Sequence, residues 1–128
     1  MATRPPILLI DSSSAWLLSN SILARSVGFA PTIARSGQEA LELFKKNTFR
    51  TIALDYWLPD MTGADCTQRL RESSPDVASK ALIIGYACGL EPELAAAWQG
   101  AGADLVLNKD DSESLLLDAL SKRYRSNL

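Results

Sequence analysis

The chain has 128 residues, 47% hydrophobic and 22% charged, with a formal net charge of −2: enough for one domain with a sizeable core, and no footing for nucleic acid or an anionic membrane as an obligatory partner. No apolar run approaches the roughly 18 residues of a membrane span, and the N-terminus MATRPP lacks the apolar stretch of a signal peptide. The absence of histidine removes Ser-His-Asp and Cys-His nucleophiles, histidine-ligated zinc and any phosphohistidine on this chain.

Short apolar runs alternate with helical patterns. ILLID (7–11) follows Pro5-Pro6 and reads as a strand buried on both faces. Residues 14–28 read as a helix that Gly28 stops. Trp16, Asn20, Leu23 and Val27 share one of its faces, Leu18 and Ile22 point away, and Arg25 is its one charge up to residue 27. PTIAR (31–35) is a weaker strand. Ser36 with Glu39 is a capping-box signature ahead of a stripe of Ala40, Leu43 and Phe44. RTIALD (50–55) is a third strand, and GADCTQRLRES (63–73) a third helix. KALIIGY (80–86) is a very apolar fourth strand, then a helix over 91–102 has Pro92 in its first turn. ADLVLN (103–108) is a fifth strand, and an amphipathic helix over 111–125 ends the series. Cys66 and Cys88 form no CxxC pair and read as small, apolar free thiols in a reducing cytoplasm.

Five strand–helix pairs in this length predict an α/β fold, a doubly wound five-stranded parallel sheet with helices on both faces; a closed barrel needs eight units. The whole of 1–128 is read as one domain with its core over about 7–120. Ligands of such sheets sit at the carboxyl ends of the strands. With a 2-1-3-4-5 strand order, Asp11 and Asp55 end neighbouring strands at the topological switch point, and Lys109 follows strand five. Two carboxylates and an ammonium would share one crevice. No glycine-rich loop follows strand one, which disfavours a dinucleotide or P-loop site. Taken singly, Asp11 and Asp55 also read as strand-end acids capping backbone N–H groups, and Lys109 as a solvated surface lysine.

At these residues the chain resembles the response-regulator receiver domain, the phospho-accepting module of two-component signalling, which has the flavodoxin-like (βα)5 fold. The resemblance rests on LLIDSS; on Asp55, Leu58, Pro59, Met61 and Gly63 of ALDYWLPDMTG; on IIGYA; and on AGADLVLNKD. It implies a bacterial, cytoplasmic signalling module rather than an enzyme. Asp55 would accept a phosphoryl group from a phosphohistidine on a sensor histidine kinase or phosphotransfer protein. Mg2+ would be held by Asp11, Asp55, the backbone carbonyl of Trp57 and, through water, Ser12. Lys109 would contact the phosphoryl oxygens as a point charge.

Four positions depart from the family pattern. Ser12 stands where a second acid normally ligates the metal, which implies weak or absent Mg2+. Tyr86 replaces the short hydroxyl that contacts the phosphoryl group, and reads as a filler of vacated space that projects over the site. Val106 replaces the aromatic whose rotamer changes on activation, and a β-branched residue has little χ1 freedom. Asp110 replaces a proline whose preceding peptide is cis in the family; a non-proline cis bond costs about 2.5–4 kcal/mol, so a trans bond is expected. Asp110 and Asp111 also add negative charge. A phosphorylation-independent pseudo-receiver, acting purely through protein contacts, is the alternative. A flavin-binding or hydrolytic enzyme on the same fold has only the hydroxyls of DSSSAW in its favour. By the same resemblance a homodimer would use the fourth helix, fifth strand and fifth helix, where Ala95, Ala96 and Ala97 allow close approach; the Leu18–Ile22 face of the first helix reads either as a second partner surface or as ordinary scattered apolar surface.

Overall fold

Strands and helices alternate among the described residues. In a computed structural model, which describes residues 3–73, 80–110 and 112–126, the order is β1 (Pro6–Ile10), α1 (Ser14–Val27), β2 (Ala30–Ala34), α2 (Gly37–Lys46), β3 (Thr51–Asp55), α3 (Gly63–Ser73), β4 (Leu82–Ala87), α4 (Pro92–Gly100), β5 (Leu105–Asn108) and α5 (Ser112–Ser126). The strands form one parallel sheet in the order β2-β1-β3-β4-β5, the expected doubly wound topology. The three inner strands are almost wholly buried, whereas the edge strands β2 and β5 keep exposed positions, as unbroken and interrupted apolar runs require. Asp111, expected to open the last helix, lies outside the described residues.

Local signals explain most boundaries. Ser13 caps α1 by accepting from the Trp16 amide at 3.4 Å, and Gly28 ends it with φ 126°. Ser36 caps α2 by accepting from Glu39 N at 3.1 Å, but the capping box is not reciprocal: Glu39 Oε2 accepts from the Arg35 amide at 3.4 Å, one residue before the cap. The buried face of α1 also departs from expectation. It centres on Leu17, Asn20, Ser21 and Ala24, while Trp16, Leu23 and Val27 are half-buried. The helix is rolled because the floor beneath it, made of Ile7, Leu9, Ala53 and Ile84, receives Leu17 and Ala24. Leu18 and Ile22 are 65% and 61% exposed, as expected.

Two cores flank the sheet. One joins α1 and α5 to Leu9, Ile84 and Tyr86; the other packs α2, α3 and α4 against Leu8, Ile10, Ile52 and Leu54. In the second core, Trp98 of α4 is fully buried and its indole N–H donates to Thr67 Oγ1 at 2.9 Å; that hydroxyl in turn donates to the Gly63 carbonyl at 2.8 Å. The ring occupies a notch over β4 that exists only because residue 85 has no side chain: a Cβ there would meet Trp98 ring atoms at 2.5–2.7 Å. At the far end of α3, Arg71 donates to the carbonyls of Ala81 and Gly102 and pairs with Asp104 at 2.9 Å.

Overpacking a filled core costs about 1–3 kcal/mol, so Gly85→Ala should lower the unfolding free energy by that amount in a urea titration. A double variant with Trp98→Leu should show the two costs to be strongly non-additive.

Candidate functional site

Three charged side chains are sealed at the carboxyl edge of the sheet: Asp11 is 1% exposed, Asp55 5% and Lys109 8%. Each is delivered by a strand end. Asp11 follows β1, and its amide donates to the Ala34 carbonyl of β2 at 3.1 Å. Asp55 is the last residue of β3. Lys109 follows β5, its amide donating to the Ala87 carbonyl of β4 at 3.0 Å. The Lys109 ammonium then lies 3.2 Å from Asp11 Oδ2 and 3.3 Å from Asp55 Oδ1. The other Asp11 oxygen, Oδ1, accepts from the Ser13 amide at 3.0 Å, which ties the acid to the start of α1.

Two negative charges against one positive charge leave this cluster a net anion out of water. Burial first, and then the field of Asp11, push the Asp55 carboxyl above its ordinary value; Lys109 and the Tyr56 amide pull it back only in part. Asp55 Oδ1 is cut off from solvent, with the Lys109 ammonium 3.3 Å away. Such an oxygen is a place for a cation or a new covalent bond.

The segment after Asp55 is a closed loop. The Tyr56 carbonyl accepts from Leu58 N at 3.2 Å and Gly63 N at 2.6 Å, and Trp57 and Thr62 form an isolated antiparallel bridge. Leu58 and Met61 pack on the larger core, which is why apolar residues stand at those two positions. Gly63 lets α3 start against β3: a Cβ there would lie 2.5 Å from the Asp55 carbonyl oxygen and 2.7 Å from Trp98. Asp60 reaches back across the chain and accepts from the Gly37 and Gln38 amides, both at 2.9 Å. The slight burial cost to its carboxyl is outweighed by those two hydrogen bonds, which hold it below its ordinary value.

The departing positions take definite places. Ser12 is exposed, next to Asp11. Trp57 is 58% exposed, its indole edge-on to Tyr56 at 4.7 Å. Tyr86 pairs with Asp55 across the β3–β4 ladder and, at 1% exposure, packs beside Lys109 rather than projecting over an open site. Its hydroxyl and Asn20 Nδ2 face each other and Asp11 without a hydrogen bond of ordinary geometry. Burial, with Asp11 adding to it, drives the phenol well above its ordinary value, so the hydroxyl stays neutral. Val106 is half-buried on the opposite core. Asp110 is exposed, its amide donating to Asn108 Oδ1 at 3.1 Å, and no peptide among the described residues is cis. Cys66 is buried, and burial followed by the field of Asp60 raises its thiol to about 12. Cys88 is a free thiol beyond the end of β4, where the chain leaves the core, and is exposed.

Three participants are invisible in the sequence motifs. Trp16 lies with its ring centre 4.8 Å from the Lys109 ammonium. Asn20 is buried against Tyr86. Asp60 secures the loop. Only Asp60 carries a sequence signal, as a helix-capping residue type, but the helix it caps begins 23 residues earlier.

The donors present are hard oxygens: two buried carboxylates, with the Trp57 carbonyl and the Ser12 hydroxyl nearby in sequence. Magnesium is held by one or two carboxylates plus water, so the set fits that ion, although no cluster of three or more acid, cysteine or histidine ligands occurs among the described residues. No helix among them is long and apolar enough to cross a membrane.

Comparison with known proteins converges on one family. The model of the response regulator receiver domain matches residues 7–121. The chain is 38% identical over 71 residues to the two-component response regulator ORR5 of Oryza sativa subsp. japonica, covering 55% of this chain and 53% of that protein. It is 35% identical over 107 residues to the aerobic respiration control sensor protein ArcB of Escherichia coli, covering 80% of this chain and 14% of that protein. The chain thus spans about half the length, or much less, of these curated relatives. Among solved structures, the chemotaxis response regulator CheY4 of Vibrio cholerae superposes with a TM-score of 0.84 at 25% identity over 95% of this chain and 99% of that one. A CheY-like receiver domain protein from Methanospirillum hungatei gives 0.85 at 22% over 97% and 96%.

The raised Asp55 carboxyl has a measurable signature. Its native value lies above its unfolded one, so the folded state carries a penalty above the native value, relieved as pH falls through it toward the unfolded value. Asp55→Asn removes the excess anion and leaves Lys109 paired with Asp11. Its thermal midpoint at pH 7 should exceed the parent's by about 2–5 °C, with the gap shrinking as the pH is lowered; a gap that widens on acidification would contradict the direction.

Proposed function

Because the chain belongs to the response regulator receiver domain family, we propose that it acts in two-component phosphorelay signalling, with Asp55 taking a phosphoryl group from a sensor histidine kinase or phosphotransfer protein. Receiver domains are typically signalling modules that interact with such kinases and generally bind Mg2+ at their acidic site. The observation that carries the proposal is the Lys109 ammonium lying within 3.3 Å of a carboxylate oxygen of both Asp11 and Asp55. In the transfer, the P–N bond of a partner's phosphohistidine breaks with its electrons returning to the imidazole, and a P–O bond forms to Asp55. Carboxylates are weak nucleophiles, so placement and charge neutralisation do most of the work.

Asp55 supplies the oxygen, Lys109 meets the arriving phosphoryl oxygens, and the closed 56–63 loop fixes the carboxylate against α3. Asp11, Asp55, the Trp57 carbonyl and, through water, Ser12 would hold Mg2+, which when bound supplies further positive charge to the phosphoryl group. The serine at position 12 removes one formal charge from that set, so binding is weak. One receiver domain spans the core of the chain, working as a bacterial cytoplasmic protein. Self-association through α4, β5 and α5 draws support from exposed Ala96, Ala97, Leu105, Leu115 and Leu117, and the α1 face from exposed Leu18 and Ile22.

A second reading has its own observation. Tyr86 occupies, fully buried, the region beside Lys109, and Val106 cannot swing as an aromatic would. These favour a pseudo-receiver that works by protein contact without phosphate.

Acetyl phosphate with Mg2+ separates the two readings. Intact-mass analysis should find the parent heavier by one phosphoryl group and Asp55→Asn unchanged. A parent that gains nothing, together with undiminished partner binding by Asp55→Asn, would leave the phosphate-independent reading.

A further inference from the structure

Lys109 is surrounded by more than its two carboxylates. Its ammonium lies 4.8 Å from the ring centre of Trp16 and 5.2 Å from that of Tyr86, and those rings stand 6.4 Å apart at 40° to one another. Trp16 comes from α1 and Tyr86 from the end of β4, so two separate elements each place a ring on the same charge. An aromatic face attracts a cation, and the attraction strengthens where water is excluded; Lys109 is 8% exposed. Two anions and two ring faces therefore hold one ammonium. Asp11 and Asp55 are also the two acids left to bind a divalent cation. An ion on Asp11 must contend with an ammonium 3.2 Å from Oδ2, and like charges so close in a sealed site repel strongly. The ammonium can ease that conflict only by moving out of the rings' hold.

We propose that Trp16 and Tyr86 are positioning residues that hold Lys109 as the resident counter-cation of Asp11 and Asp55, and so set how weakly a divalent cation binds there. This rests on reading the acidic pair as the metal-binding acceptor site, but the metal competition has readouts of its own. Trp16 is half-buried on the helix surface, so Trp16→Leu keeps the helix and the apolar bulk while deleting the ring face. In calorimetric titration of the full chain with MgCl2, Trp16→Leu should bind roughly three- to thirty-fold more tightly than the parent, and Trp16→Phe, with its weaker ring face, should fall between them. Tyr86→Phe keeps its ring and should leave the affinity within about two-fold. In 15N NMR of the lysine ammonium groups, one resonance should be ring-shifted in the parent and in Tyr86→Phe, and should move toward ordinary lysine positions in Trp16→Leu. Unchanged or weaker Mg2+ binding by natively folded Trp16→Leu and Trp16→Phe overturns the proposal, as does a parent without a ring-shifted ammonium. If the ring shift is present but no chain binds Mg2+, the competition is refuted, while acetyl phosphate labelling still decides the acceptor reading on its own.

Discussion

One ammonium shared between two buried carboxylates is the constraint on which this structure turns. Asp11, Asp55 and Lys109 come from positions 44 and 54 residues apart in sequence, yet the ammonium lies within 3.3 Å of both carboxylates. Removing one partner from a buried charge pair leaves an uncompensated charge, which is far more costly than losing an exposed bridge. The sheet order makes the meeting possible: β1 and β3 are neighbours, so two strand-end acids face each other, and β5 delivers the lysine from the far edge. The net negative balance keeps the site receptive to further positive charge.

The frame around this cluster is held mainly by directional contacts to backbone. Asp60 fixes the loop after Asp55 to α2 through two amides, the Tyr56 carbonyl closes the loop on Gly63, and Trp98 with Thr67 secures α4 to the start of α3. Arg71 does the same at the opposite end, gathering carbonyls from before β4 and before β5. A carboxylate whose reactivity depends on direction of approach is thereby mounted on elements that cannot drift independently.

The fold and the loop after Asp55 were legible because both are written in local signals. Alternating apolar runs and helical periods gave the sheet, and the strand-end rule put Asp11, Asp55 and Lys109 in one crevice. Boundaries moved by a residue or two, as fraying ends do. The roll of α1 was not legible: Trp16 and Leu17 both fit an apolar stripe, and only the floor formed by Ile7, Leu9, Ala53 and Ile84 selects Leu17. The aromatic surroundings of Lys109 escaped for the same reason. Trp16 and Tyr86 lie 70 positions apart in sequence, neither belongs to a motif containing the lysine, and nothing in their spacing says that their rings converge.

The fit of Trp98 into the space above Gly85 bears on how this chain can change over generations. The indole is large because residue 85 is bare, and residue 85 is bare because the indole is there. A side chain at 85 is tolerated only after the ring has shrunk, and a shrunken ring leaves a void until 85 has grown. Drift at these two positions must pass through a less stable intermediate in either order, so each residue holds the other in place, and lineages that cross would be expected to carry both replacements together.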